Sequence, residues 1–398
     1  MSTPHPVDPA DALPADPRAL LVGRVHDPVT GGPVPVAVRG GELVDLSGTA
    51  PTVAHLLRLP TPRVREAVED APARWDVREV LAASLGRDTA AVRLLAPVDL
   101  QVVKACGVTF VDSMLERVIE ERCAGDPDLA QGVRAQVLDA LGDVGDLSAV
   151  VPGSAQAARV KEALLARGMW SQYLEVGLGP DPEVFTKAPV LSSVGYGERV
   201  GIPATSSWNN PEPELVLVVD AEGVPRGATL GNDVNLRDVE GRSALLLGAA
   251  KDNTASSALG PFVRLFDDGF TLDDARTERI SLRVDGPEGY LLEAVNDVGR
   301  LSRSFEELVA ATWGPHHQYP DGFVLHTGTL FAPVQDRGEH GRGFTHVHGD
   351  VVTIAGPHLG ALVNEVGPTE QLPPWEWGVG RLLDHLLDRA AQEAGRRP

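Results

Sequence analysis

Residues 211–219 read PEPELVLVV. Leu215–Val219 is an unbroken apolar run, and its length and β-branched content predict a strand covered on both faces. Glu212 and Glu214 stand two residues apart at its start, so in an extended chain both carboxylates project from one face. Two ionised carboxylates at the mouth of a buried strand repel one another and lose their water, which is costly unless a positive group joins them. Hard divalent cations take oxygen ligands, and Mg²⁺ keeps coordination sites open to water or substrate.

A third oxygen ligand is available in the next β-like run. The turn AEGVPRG (221–227) separates the run 214–220 from 227–234, GATLGNDV. Paired as an antiparallel hairpin, these two runs return Asp233 toward Glu212 and Glu214, a geometric argument for a three-carboxylate metal site. Spacing alone leaves a second reading open, in which the two glutamates are rim acids, solvated or salt-bridged.

Outward from this hairpin the chain divides by pattern. Prolines at 4, 6, 9, 14 and 17 mark residues 1–18 as a flexible N-terminus. Residues 19–96 mix short apolar runs with Gly/Pro turns and a helical stretch near 74–86, which predicts a smaller N-terminal α+β domain. The remainder, 97–398, reads as the catalytic domain. Its segment 126–180 carries apolar positions at helical spacing and is expected to be a helical insertion. From 183 onward, short β-like runs such as ELVLVVD, RISLRVDG and GDVVTIAG alternate with turns, with few helices between them and a terminal helix in 375–395. The expected fold class is α+β: a mainly antiparallel, rolled mixed sheet with helices packed outside.

Composition narrows the function. The 398 residues include 43% hydrophobic and 23% charged, ordinary for a globular protein, and the formal net charge is −21. Such a surface repels phosphate backbones and anionic membranes, so nucleic-acid and membrane roles are not expected. Cys106 and Cys123 are the two cysteines; they form no disulfide framework or cysteine zinc site and fit a reducing compartment. No signal-peptide pattern opens the chain and no apolar window approaches a membrane span, so a cytoplasmic, soluble protein is expected.

The segments EVFTKAP (183–189), VGYGE (194–198), PEPELVLVVD (211–220), GATLGNDVNLRDVEG (227–241), AKDN (250–253), ALGPF (258–262), HTGT (326–329) and GDVVTIAGPHLGALVNEV (349–366) occur in one order. In that order they resemble the fumarylacetoacetate hydrolase superfamily, over about 97–366. KACGVTF (104–110), running into the ERVIEE helix, and VEGRSALLLGAAKDN (239–253) resemble its 2-keto-3-deoxy-D-arabinonate/xylonate dehydratase branch.

That resemblance implies the fold named above and makes Glu212, Glu214 and Asp233 the ligands of Mg²⁺, with Mn²⁺ as an alternative. It places Glu183 and Lys251 in acid/base work, Lys187 beside the site, and Thr329 in a substrate-contacting turn. Arg237 is either a substrate clamp or a loop-holding residue paired with Asp238 or backbone. The implied reaction is dehydration of a 2-keto-3-deoxy pentonate to 2,5-dioxopentanoate. The keto acid would chelate the cation, which acidifies its C3 protons, while a base and an acid remove and deliver protons. A lysine near a buried cation is expected to have a lowered pKa. The partner is then a small 2-keto acid, and the assembly a homodimer or homotetramer.

The alternative function is C–C bond hydrolysis of an acylpyruvate or fumarylacetoacetate-like diketo acid; a decarboxylase-like or non-catalytic relative is a third reading. The hydrolase branches carry a histidine near the first strand, whereas here the matching helix, VDSMLERVIEER (111–122), has none and offers Glu116, Glu120 and Glu121 instead. HVH (346–348) has a spacing used by zinc sites, but its Gly/His/Arg-rich surroundings read as a loop. His316 and His317 also read as loop residues. Neither a G-x-S-x-G elbow nor a nucleotide-binding glycine motif is present.

Overall fold

The apolar run that opens at Leu215 is buried on both faces because it lies inside the largest of the sheets. In the computed structural model, residues 8–142, 147, 150–330, 335–338 and 343–396 are described. The strands in chain order are β1 (Leu21–Asp27), β2 (Gly32–Arg39), β3 (Glu42–Asp45), β4 (Ala73–Asp76), β5 (Arg93–Leu95) and β6 (Val102–Gly107). There follow β7 (Glu183–Ala188), β8 (Arg199–Ile202), β9 (Asn209–Asn210), β10 (Pro213–Val219), β11 (Pro225–Asp233) and β12 (Asn235–Leu236). The last six are β13 (Ser257–Leu265), β14 (Arg279–Asp285), β15 (Leu291–Asp297), β16 (Phe323–His326), β17 (Val351–Gly356) and β18 (Gly360–Pro368).

Eleven strands form the large sheet, in the order β4-β3-β2-β1-β13-β11-β10-β16-β6-β7, with β5 also paired to β1. Its pairs are antiparallel except β16 with β6. A five-stranded sheet, β15-β14-β17-β18-β8, has one parallel pair, β18 with β8. The fold is the mixed α+β arrangement expected, without a closed barrel.

Alternation along β10 feeds two cores. Leu215, Leu217 and Val219 face a cluster shared with the five-stranded sheet, including Ile280, Leu282, Ile354 and Leu362. Val216 and Val218 face the opposite cluster, with Val53, Leu56 and Val64. The latter residues lie on α1 (Val53–Leu57) and α2 (Thr61–Asp70). Burying each such side chain contributes about 1.5–3 kcal/mol, so this strand is fixed from above and below.

The segment 19–96 adds β1–β5 to the same sheet that carries β10, together with α3 (Val77–Gly86). Of the N-terminal stretch, residues 1–7 lie outside the described residues, and Pro9–Ala12 form one 3-10 turn with Ala12 buried. Within and beside 126–180, α4 (Val111–Arg122), α5 (Ala130–Gly142), α6 (Ala155–Ala166) and α7 (Gln172–Leu178) build a third cluster around Met114, Ile119, Leu164 and Leu174. Further along are α8 (Arg237–Glu240), α9 (Leu247–Lys251), α10 (Leu272–Arg276), α11 (Phe305–Thr312) and α12 (Val379–Arg396). Among the described residues no helix is long and apolar enough to cross a membrane.

Candidate active site

The β10–β11 hairpin is set by its turn. Asp220 Oδ1 accepts hydrogen bonds from the Glu222 and Val224 amides at 3.1 and 2.9 Å, a local side-chain closure suited to a tight reversal. The register pairs Pro213 with Asn232 and Glu214 with Gly231. At the open end, the Asp233 amide donates to the Glu212 carbonyl at 3.0 Å, and the Glu212 amide donates to Asn232 Oδ1 at 3.1 Å. Glu212, Glu214 and Asp233 are thereby brought together: one carboxylate oxygen of each lies within 4.8 Å of the others, and all three residues are buried.

Each carboxylate has a distinct support. Glu214 Oε2 accepts the Gly328 amide at 2.7 Å and lies 3.4 Å from His326 Nδ1. Gly328 has φ +96°, and a Cβ there would stand 1.9 Å from Thr109 Oγ1. Glycine is therefore needed for both conformation and space. Thr329 follows immediately and is buried. Lys187, wholly enclosed, forms an ion pair with Asp233 Oδ1 at 2.8 Å and donates to the carbonyls of Val234 and Lys251. Lys251 donates to Glu212 Oε2 at 2.6 Å and Asp233 Oδ2 at 3.1 Å. The other Glu212 oxygen is held by Arg117.

Glu183 begins β7 opposite Gly107 of β6. A Cβ at 107 would meet Glu183 Oε2 at 2.0 Å, so the glycine makes room for the carboxyl. Burial pushes the Glu183 carboxyl up to about 7, and the neighbouring Glu240 carboxylate adds to the shift. Burial would lower the Lys251 ammonium, but Asp233 and Glu212 outweigh it and hold this lysine above its ordinary range. Lys187 is the lysine that burial lowers, against the pull of Asp233.

A second layer comes from α4. Arg117 bonds Glu120 at 2.5 Å and lies 3.3 Å from Glu240. Arg237 donates to Glu120 Oε1 at 2.6 Å, reaches Glu116 at 3.3 Å and stacks 4.1 Å over the Trp208 ring. Asp238 accepts from Ser206 and the Ser207 amide instead. Arg237 is thus engaged by helix carboxylates. Arg117, Glu240 and His326 were not singled out from sequence. The one available signal was the mixed acid–base spacing of Glu116, Arg117 and Glu120 on a helix with apolar neighbours.

His346 of HVH bonds Asp350 through Nδ1 at 3.0 Å in a segment preceding β17, the loop arrangement expected. His316 and His317 follow α11 in a short bridge.

Charge balance tests the fit to a divalent cation. Among the described residues the connected cluster contains seven carboxylates: Glu116, Glu120, Glu183, Glu212, Glu214, Asp233 and Glu240. Five permanent or lysine cations accompany them: Arg117, Arg134, Lys187, Arg237 and Lys251. Burial holds three of these carboxyls, Glu183, Glu214 and Glu240, above the ordinary range, and the three hard oxygen donors that converge, Glu212, Glu214 and Asp233, suit one dication in a low-dielectric setting.

A buried tricarboxylate cup on a mixed sheet, flanked by a raised carboxyl and two lysines, defines a class of candidate metal-assisted enzyme. The family described as fumarylacetoacetate (FAA) hydrolase C-terminal matches residues 153–367, over half of the chain, and the chain belongs to it. Two curated relatives are similar. One is 2-dehydro-3-deoxy-D-arabinonate dehydratase of Saccharolobus solfataricus, 30% identical over 188 residues, 46% of this chain and 58% of the relative. The other is the probable 2-keto-3-deoxyxylonate dehydratase of Haloferax volcanii, 31% identical over 198 residues, 50% of this chain and 64% of the relative. The matched span is thus under two thirds of either relative's length. Among solved structures, 2-keto-3-deoxy-D-arabinonate dehydratase complexed with magnesium and 2,5-dioxopentanoate shares the fold with TM-score 0.61 and 21% identity, covering 87% of this chain and 99% of that one. A fumarylacetoacetate hydrolase from Exiguobacterium antarcticum shares it with TM-score 0.54 and 17% identity, covering 88% of this chain and 100% of that one.

Proposed function

We propose that this chain is a Mg²⁺-dependent hydro-lyase that dehydrates a 2-keto-3-deoxy pentonate, of the kind derived from arabinonate or xylonate, to 2,5-dioxopentanoate. The observation that carries the reading is the convergence of Glu212, Glu214 and Asp233 into one buried oxygen-donor set, with Lys251 bonded to it and Glu183 beside it. Both curated relatives are named for dehydration of such acids, and the complex of one fold neighbour contains that product with magnesium. A cytoplasmic setting is proposed with it, in keeping with two buried free cysteines.

Bound by the three carboxylates, Mg²⁺ would polarise the keto group of a 2-keto acid and so acidify its C3 protons. The remaining work falls to the protein. Dehydration breaks a C3–H and the C4–O bond, releases one water and leaves a C3=C4 double bond; a C5 proton then moves to C3, giving the C4=C5 enol, and the proton of the enol O–H moves to C4, leaving an aldehyde at C5. These transfers require groups that both accept and deliver protons. A carboxyl poised near 7, Glu183, suits this exchange at neutral pH. Lys251 is the cationic partner able to deliver a proton to the departing oxygen. Lys187 balances Asp233, Thr329 lies in the turn that fixes Glu214, and Arg237 braces α4.

The deciding experiment incubates the protein and Mg²⁺ with a panel of 2-keto-3-deoxy acids and acylpyruvate-type diketo acids and identifies products by mass. The expected product is the semialdehyde acid from a pentonate, formed with Mg²⁺ and abolished by EDTA. Release of two acids from a diketo acid, with no dehydration of any panel member, would overturn the proposal.

A further inference from the structure

Outside the carboxylate cluster, a cavity of about 410 Å³ opens where residues 191–194, following β7, meet 254–255 and the 372–377 segment that precedes α12. None of Glu183, Glu212, Glu214, Asp233 or Lys251 lines it. Its volume falls in the range of small-molecule sites. Its chemistry differs from that of the protein as a whole. In a chain of net charge −21, four arginines line this one hollow: Arg24, Arg87, Arg93 and Arg199. Arg87 and Arg199 share a single carboxylate, Glu365, each at 2.8 Å. Arg24 and Arg93 face Glu198, whose Oε2 is already taken by the Gly195 amide at 2.6 Å. Glu376, also in the lining, is paired with Arg381 at 2.7 Å. Asp99 also faces Arg24, so four guanidinium groups are met by three carboxylates, Glu365, Glu198 and Asp99.

Arg93 is the least satisfied of the four. Its Nε is buried, and no hydrogen-bond acceptor reaches it among the described residues. Leaving such a donor unpaired is unfavourable unless a ligand or water meets it. The arginine fork matches a carboxylate in shape and charge. Beside it, Trp375 and Trp377 supply flat apolar surface, and Trp375 is 47% exposed. Tryptophan faces at the mouth of a basic hollow accept a planar carbon skeleton through burial and offset stacking.

We propose that this cavity is a binding site for a small organic anion with one carboxylate on a planar apolar body, the carboxylate seated on Arg93 and the body against Trp375 and Trp377. The site is separate from the proposed reaction centre and does not depend on that assignment.

Benzoate titrated into the full-length, Mg²⁺-loaded protein tests it, read by tryptophan fluorescence and by calorimetry. The expected result is saturable binding at one site with Kd on the order of 1 mM or tighter. Benzamide, isosteric and uncharged, should bind at least tenfold more weakly. R93M should weaken benzoate at least tenfold and R93K by less. W377A should weaken it to a similar extent as R93M, which covers the case in which R93M fails to fold. E214Q, altered only in the carboxylate cup, should bind benzoate as the wild type does. Absence of benzoate binding, equal binding of benzamide, unchanged affinity in folded R93M, or loss of binding in E214Q with retention in R93M would each overturn the proposal. So would a change of oligomeric state in R93M with benzoate affinity intact, since the arginine would then be serving a contact between copies.

Discussion

The Nζ of Lys251 stands 2.6 Å from Glu212 Oε2, and both side chains are buried. This ammonium neutralises a carboxylate that a bound cation would also neutralise, so lysine and metal share the Glu212 side chain. Lys251→Met is therefore expected to leave Mg²⁺ affinity equal to or tighter than wild type while kcat falls by roughly 10²–10⁴. Calorimetry with Mg²⁺ and a turnover assay on the same preparation check this. Unchanged kcat would remove Lys251 from proton handling, and lost Mg²⁺ binding would make it a scaffold for the cup.

Glu214→Gln replaces a charged donor with a neutral amide of similar shape, still able to accept the Gly328 amide through its oxygen. Folding should survive, because the buried acid loses a charge that burial already disfavours. Mg²⁺ binding and turnover should both fall by at least about 10²-fold, in line with loss of metal-centred catalysis. Circular dichroism, calorimetry and turnover together decide; full activity would end the metal assignment.

Glu183 predicts a pH dependence of stability in the metal-free protein. Its carboxyl titrates about 7 in the fold against an ordinary 4.5. Between these values the folded state keeps a proton that the unfolded chain has lost, so stability falls as pH rises from 4.5 to 7 and is level above. The loss is at most about 3.5 kcal/mol, from ~1.4 kcal/mol per pH unit over the interval from 4.5 to about 7. Glu183→Gln should abolish that portion. Urea unfolding of both proteins at pH 5 and pH 8, without metal, measures the difference; parallel behaviour of the two would refute the buried-carboxyl account.

Gly328→Ala tests the backbone beneath Glu214. The added methyl meets Thr109 Oγ1, and φ +96° is strained for alanine, which together should cost about 1–3 kcal/mol and loosen Mg²⁺ binding. Thr109→Ala in the same chain should recover part of the loss, because the contact goes and the φ strain stays. Full recovery would assign the whole cost to the collision; none would assign it to the backbone.

A homodimer or homotetramer is proposed from the family likeness. Sedimentation should give a species at least twice 42.2 kDa at micromolar concentration. A single monomeric boundary would refute it.

The hairpin and its three acids were legible in the sequence because every clue was local. The Glu-x-Glu spacing, the turn and the apolar run fix face and register within about twenty residues, and the antiparallel pairing of Glu214 with Gly231 follows. Arg117 on Glu212 was not legible, since the two are 95 positions apart and meet only because β6, ahead of α4, pairs in parallel with β16 beside β10. The same holds for His326 and Glu240, whose relation to the cup depends on strand order. Arg237 shows the limit differently: its neighbour in sequence, Asp238, suggested a local partner, while Glu120 on α4 supplies a buried one. Local chemistry decides which residues can act, and long-range topology decides which of them meet.

Strand β13 is buried along all nine residues and hydrogen-bonds β1 on one side and β11 on the other. A chain cut before residue 97 would lose β1 and bare the border of β13 at Val263–Leu265, where Leu20–Val22 now pair, while Val194 would still cover Ser257–Leu259. Such an edge recruits other strands, so β1 also serves as a cap on that stretch of the sheet that carries the acids.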